Sequence, residues 1–210
     1  METTFLNIIS NFISPDERII TIEDTIELNL SPRHVVRLES RPSNLEGKGE
    51  ITIRDLVRNA LRMRPDRIIV GEIRGVEAVD VLQAMNTGHS GSMTTVHANS
   101  PQDLISRVET MLLMAGINIT PSSARRMISS SVDMVIHLER LSNGQRILFQ
   151  ISEIVNSDRN AGTDIDLDVR DIFHFNIRDE SFDFTGYIPK FLNKIKKRGF
   201  DFDFKNIFNR

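Results

Sequence analysis

The chain has 210 residues, a net charge of −3, and 40% hydrophobic and 26% charged residues. That is ordinary for a globular protein with one good core and an appendage, and it offers no bulk electrostatic attraction to nucleic acid. The absence of cysteine excludes disulfides, zinc–thiolate sites and a thiol nucleophile.

No apolar run approaches the roughly 20 residues that span a bilayer. Met1-Glu2-Thr3-Thr4 lacks the basic and apolar regions of a signal peptide, so a cytoplasmic location is expected. From Thr3 to Phe12, apolar residues at Phe5, Ile8, Ile9 and Phe12 have helical spacing. Ser14-Pro15-Asp16 is a turn. Arg18 to Ile22 reads as a short strand that ends on Glu23-Asp24, and Val35 to Leu38 as another. Arg41-Pro42 to Gly49 is a polar loop.

Thr52 to Met63 is predicted as an amphipathic helix, with Ile53, Leu56, Val57, Ala60 and Leu61 on one stripe. Thr52 followed by Asp55 has the form of a capping box with a shorter acid. Arg64-Pro65-Asp66 stops the helix and leads into Arg67-Ile68-Ile69-Val70. Its β-branched run reads as a buried central strand of a parallel sheet. Gly71-Glu72 follows at once. In open α/β sheets, ligands sit just beyond the carboxyl ends of strands, so Glu72 stands either at a site of chemistry or at the start of the next helix as a cap.

Val76 to Met85 is the next helix, closed by Asn86-Thr87-Gly88. Ser92 to Val96 is a strand that leads into His97-Ala98-Asn99. Ser100-Pro101 and Thr120-Pro121 each start a helix, with proline at its first position. Met134 to Leu138 and Arg146 to Val155 form a hairpin through Ser142-Asn143-Gly144. Strands alternating with helices up to about residue 130 argue for a parallel α/β sheet.

The end of the chain differs. Nine of its 12 phenylalanines lie from Phe173 onward. Asn156 to Asp166 is a polar loop, Asp168 to Phe175 alternates like an exposed strand, and Pro189 to Arg198 is a basic helix. The tail from Gly199 alternates Phe and Asp and is expected to be loosely held. Lys194, Lys196, Lys197 and Arg198 read as a solvated face or as a contact for anionic lipid.

Glu23-Asp24, Glu72 and His97 follow three strand-like segments, and His89 lies in Thr87-Gly88-His89-Ser90-Gly91. Carboxylates at strand ends suit Mg²⁺, which takes hard oxygen ligands and keeps most of its waters. A glutamate can orient or deprotonate water for attack on a phosphoryl group, and His or Arg can donate to its oxygens. Glu72 and His97 lack the helical two-His spacing of a zinc hydrolase.

Together these residues resemble the C-terminal motor domain of the type II/type IV secretion ATPases. The resemblance is strongest to the CpaF-type ATPases of tight-adherence (Flp) pilus assembly. Thr21 to Leu28 is similar to the family's Asp box, and Val70-Gly71-Glu72-Ile73-Arg74-Gly75 to its atypical Walker B. Thr87-Gly88-His89 through Thr94-Thr95-Val96-His97-Ala98-Asn99 is similar to its His box. Glu46 to Leu56 and Leu61 to Asp66 also look like the CpaF-type subgroup, and the likeness runs from about Thr3 to Val155.

The resemblance implies an α/β fold: a RecA-like P-loop NTPase core with a mostly parallel sheet, truncated at its N-terminus, over residues 1–155. A small strand and basic-helix appendage over residues 156–210 would follow. It implies ATP and Mg²⁺ as cofactors and work in a homo- or hetero-oligomeric ATPase ring. The ring would lie on the cytoplasmic side of the inner membrane, beside a secretion or pilus platform protein. Glu23, Glu72 and His97 would be catalytic. Thr3, Thr4, Arg37, Arg41 and His89 would bind nucleotide, and Thr3 and Glu72 would hold Mg²⁺, mostly through water. For Arg37 and Arg41 a solvated edge strand is the competing reading.

One departure stands out. The family's phosphate loop, G-x-x-x-x-G-K-[ST], does not occur in the 210 residues, and Gly47-Lys48-Gly49 does not qualify. Where family members read Gly-Lys-Thr-Thr, this chain reads Met1-Glu2-Thr3-Thr4, which puts a carboxylate at the lysine position. The chain is accordingly expected to be the motor portion of such an ATPase and inactive alone. The alternative is a non-catalytic subunit or remnant that binds a related ring.

Overall fold

A computed structural model describes residues 2–116, 118–157 and 165–200. Helix α1 (Glu2–Ser10) leads into β1 (Arg18–Glu23), β2 (His34–Glu39), α2 (Ile53–Ala60) and a 3₁₀ turn (Leu61–Met63). Strand β3 (Arg67–Val70), α3 (Ala78–Asn86), β4 (Met93–Thr94), α4 (Pro101–Met114) and α5 (Pro121–Ser131) follow. The chain then forms β5 (Val135–Arg140), β6 (Arg146–Asn156), β7 (Leu167–Asn176), β8 (Ser181–Phe184) and α6 (Leu192–Lys197).

Strands β1 to β4 make an all-parallel sheet in the order β2-β1-β3-β4. Side chains alternate along β1 and β3, so each buries both faces. Ile20, Ile22, Ile68 and Val70 pack against α2 and α3 through Val57, Ala60, Val81 and Leu82. Ile19 and Ile69 face the other way, against Leu6 and Ile13 at the α1 end and Leu28 and Leu30 from the segment after β1. This two-sided burial places β1 and β3 in the middle and brings their carboxyl ends side by side.

The local signals act as the sequence predicts. Thr52 Oγ1 accepts from Asp55 N at 3.1 Å, and Asp55 Oδ2 accepts from Thr52 N at 3.1 Å. Ser100 and Thr120 cap α4 and α5 by accepting from Asp103 N and Ser123 N. The expected helix at Val76 starts later, at Ala78. Glu77 Oε1 accepts from Arg74 N and Gly75 N and holds a turn ahead of it. The strand expected over Ser92 to Val96 shrinks to two residues, because β3 ends at Val70 and leaves nothing regular to pair with.

The second sheet is antiparallel, β5-β6-β7-β8. Its inner face, with Val135, Ile154 and Val169, joins the core beneath α4 and α5. The segment expected as an exposed strand, Asp168 to Phe175, is β7. It is paired on both sides, and its Ile172 is 1% exposed. Its polar alternation reflects one wet face, the other being packed. The division expected at 155/156 falls inside β6, one residue before its end, and β6 pairs with β7 in this sheet. Helix α6 is shorter than the basic helix expected from Pro189: Leu192 N and Asn193 N close turns onto Pro189 O and Lys190 O ahead of it, while Lys190 N and Phe191 N donate to the Glu153 carboxylate. Most of the loop expected over Asn156 to Asp166, and the tail after Phe200, lie outside the described residues. Among the described residues no helix is long and apolar enough to cross a membrane.

Candidate functional site

The carboxyl ends of β1 and β3 converge on three acidic or basic side chains. Gly71 continues β3 by one residue, its N–H donating to Ile22 O at 2.8 Å. A Cβ at Gly71 would lie 3.2 Å from Glu23 Cγ, so the glycine lets the Glu23 side chain lie against β3. Thr95 Oγ1 donates to Gly71 O at 2.6 Å, and Ile73 N donates to Thr95 O at 3.0 Å. These bonds fasten the segment after β4 to the segment after β3, and so bring His97 to Glu72.

Glu72 is mostly buried, with 15% of its side chain exposed. Its Oε1 lies 3.3 Å from His97 Nε2, and its Oε2 accepts from Arg74 Nη2 at 2.6 Å. That hydrogen bond, with the charge of Glu72, raises the pKa of the Arg74 guanidinium. His97 Nδ1 lies 3.3 Å from Glu2 Oε1 at the start of α1. One imidazole thus stands between two carboxylates and draws the first turn of α1 towards Glu72.

Glu23 is 4% exposed. Its Oε2 accepts from Glu27 N and Leu28 N, both at 2.9 Å, which holds the chain as it leaves β1. Its Oε1 is buried with no partner among the described residues, as is Thr21 Oγ1 two residues earlier on the same face of β1. A buried carboxylate oxygen left unsatisfied is costly, and a water or other donor beside it would relieve that cost.

The other expected residues are dispersed. Thr3 Oγ1 donates to Glu27 Oε2 at 3.1 Å, and Thr4 is exposed on the first turn of α1. Arg37 is exposed in the middle of β2, two strands and roughly 10 Å from β3. Arg41 folds onto its own loop, its Nε donating to Gly49 O at 2.7 Å.

His89 lies apart from these residues. Helix α3 runs back towards the start of β3, so the loop after it meets Arg67 and Ile68 rather than Glu72. Ser92 Oγ accepts from Ile68 N, and Gly91 O accepts from Arg67 Nη1. A Cβ at Gly91, where φ is +82°, would fall 2.1 Å from that same Nη1. His89 Nδ1 lies against Ala84 O at 3.2 Å and caps α3. It is on the order of 13 Å up the strand from Glu72, outside the cluster.

Sequence reasoning did not single out Arg74 or Thr95 as supports of Glu72. Both stand in the motifs that carry the resemblance, but nothing in their spacing says which atoms they reach.

The donors fit a hard cation in part. Glu72 and Thr3 offer oxygens, and among the described residues no three His, Asp or Glu side chains group as a closed metal site. That suits Mg²⁺, which takes one or two carboxylates and leaves its other positions to water and phosphate. Both Glu72 oxygens already have partners, Arg74 on one and His97 on the other, so an incoming ion has to compete with them.

Residues 2–165 match the family described as type II/IV secretion system protein. A Mycobacterium tuberculosis protein named for conjugal transfer is 44% identical over 151 residues, covering 72% of this chain and 42% of that protein. The type IV secretion system protein PtlH of Bordetella pertussis is 41% identical over 144 residues, covering 66% of this chain and 42% of PtlH. The chain thus spans less than half the length of these curated relatives. The crystal structure of the VirB11 ATPase from the Brucella suis type IV secretion system, in complex with sulphate, superposes with a TM-score of 0.64 at 32% identity. It covers 72% of this chain and 44% of that one. The parallel sheet and its helices are therefore the RecA-like core of the secretion ATPases.

Proposed function

The chain belongs to the type II/IV secretion system protein family, and on that premise we propose that it is the C-terminal portion of a motor that couples ATP hydrolysis to protein secretion or pilin assembly, of the CpaF type. The observation that carries this reading is the Glu72–His97 couple beyond β3, beside the buried Glu23.

In this reading Glu23 receives a proton from, or orients, the attacking water through Oε1, the oxygen that has no partner among the described residues. Its other oxygen holds the backbone of Glu27 and Leu28, which keeps the carboxylate from rotating away. Glu72 acts through the water shell of Mg²⁺, with Thr3 and Thr4 beside it at the start of α1. When bound, that ion neutralises charge on the triphosphate. His97 donates to a terminal phosphate oxygen, where negative charge gathers. Arg37 and Arg41 serve a neighbouring subunit of an oligomeric ring rather than this one, since neither reaches Glu72 here. The ring works on the cytoplasmic face of the inner membrane with a platform protein.

The 210 residues contain no G-x-x-x-x-G-K-[ST] loop, so nucleotide is held only when such a loop is supplied. The second reading, a non-catalytic subunit that docks on a related ring, is favoured by one contact. Glu2 places a carboxylate on His97, where a phosphate oxygen would have to come.

Calorimetry with Mg²⁺-ATP separates the two. The motor reading expects binding when the chain is mixed with a polypeptide that carries the phosphate loop of a relative, and none with the chain alone. No binding in either case favours the docking subunit. Robust Mg²⁺-dependent turnover by the chain alone, abolished by Glu72→Gln, would overturn the need for a supplied loop.

A further inference from the structure

Although the chain as a whole carries −3, Lys190, Lys194, Lys196, Lys197 and Arg198 fall within nine residues, and no acid occurs between residues 187 and 200. All five cations are exposed, while Leu192 is buried and Ile195 half-buried beneath them. The segment is therefore one-sided: apolar towards the protein, cationic towards solvent.

It is also fixed in place. The Glu153 carboxylate accepts from Tyr187 OH at 2.5 Å, Lys190 N at 2.9 Å and Phe191 N at 2.8 Å. Lys194 pairs with Asp133 at 2.5 Å. Arg198 Nη2 donates to Ser90 Oγ at 2.5 Å, a neutral partner that leaves its charge intact. The cations are thus displayed on a base that is already ordered, so less conformational entropy is lost when a surface binds them. Phe200, two residues beyond Arg198, is 66% exposed.

We propose that residues 187–200 form a surface that binds anionic lipid at a membrane. A short cationic strip that ends in an exposed aromatic fits a partner with charge at its surface and an apolar interior beneath. A bilayer has that profile and a nucleic-acid backbone does not. Arg198 meets Ser90 in the loop beside the start of β3, the end of the strand remote from Glu72, so a bound membrane leaves the Glu72–His97 couple open.

The test is co-sedimentation of the full chain with phosphatidylcholine vesicles, with and without phosphatidylglycerol, in the absence of nucleotide. It therefore succeeds or fails independently of the motor reading. Binding is expected only with phosphatidylglycerol. Each cation removed lowers the partition coefficient about fivefold, so the triple variant Lys190→Gln, Lys196→Gln, Lys197→Gln binds about a hundredfold more weakly. These side chains are exposed, and thermal melting of the variant should match the parent. Binding is also lost near 1 M salt, where the screening length falls to about 3 Å. Equal binding to both vesicle types, undiminished binding by the triple variant, or displacement by soluble inorganic phosphate would overturn the proposal.

Discussion

The His97 imidazole lies 3.3 Å from the Glu72 carboxylate, although the two belong to segments on either side of a helix and a short strand. Parallel pairing of β3 with β4 puts both residues at the same end of the sheet. The Thr95–Gly71 hydrogen bond then closes the gap.

If this couple carries the chemistry, Glu72→Gln in the complemented motor should lower ATP turnover by about 10²–10⁴-fold while nucleotide still binds. His97→Ala should act in the same direction. Single-turnover hydrolysis alongside calorimetric binding distinguishes lost chemistry from lost affinity. Turnover unchanged in both variants would remove these residues from the mechanism.

Glu2 sets a carboxylate against the same imidazole. A triphosphate arriving there meets a like charge, and Glu2→Gln removes it. The variant should bind Mg²⁺-ATP roughly tenfold more tightly in the complemented protein, a modest gain because the side chain is partly exposed and screened. Equal affinities would mean that Glu2 swings clear when nucleotide enters.

Thr52 and Asp55 cap α2 reciprocally. Thr52→Ala should destabilise the fold by about 1 kcal/mol in urea unfolding. The Thr52 hydrogen bonds, side chain first and then backbone, hold the Asp55 carboxyl below its ordinary value of 3.8. A depressed acid contributes stability that is present above 3.8 and is lost as pH falls through the lower folded value. The variant should therefore lose less stability than the parent on acidification below about pH 4, and a parallel acid-unfolding series checks this.

Tyr187 is the single tyrosine, so ultraviolet titration reads it alone. Burial first, and then its hydrogen bond to Glu153, push its phenol well above the usual 10.0. A raised value contributes stability that is full below pH 10 and is lost as pH rises through the folded value. The native chain should titrate later than the denatured one. Glu153→Gln should bring the native titration part of the way back, since burial persists, and should cost about 2 kcal/mol of stability because charged hydrogen bonds are lost. Coincident native and denatured curves would show that the 187–191 segment is not held on Glu153.

Much of this architecture was legible one residue at a time. The Ile-Ile-Val run of β3, the Thr52–Asp55 box and the prolines at 101 and 121 are local signals, and local signals act over a single turn or strand. The ordered motifs likewise marked Glu23, Glu72 and His97. What one strand or turn cannot carry is which face or end a residue reaches once the chain closes on itself. Asp168 to Phe175 was read as an exposed strand, but alternation reports only one wet face and says nothing about the neighbours that β7 has on both sides. His89 was grouped with Glu72 and His97 as a candidate, and the sequence does not say that the loop after α3 lies beside Ile68, at the other end of β3. The Glu2–His97–Glu72 line and the Glu153 hold on residues 187–191 join segments far apart in sequence. Such contacts are fixed only when the two sheets and their helices pack, so the residues were in the sequence and their partners were decided by the tertiary fold.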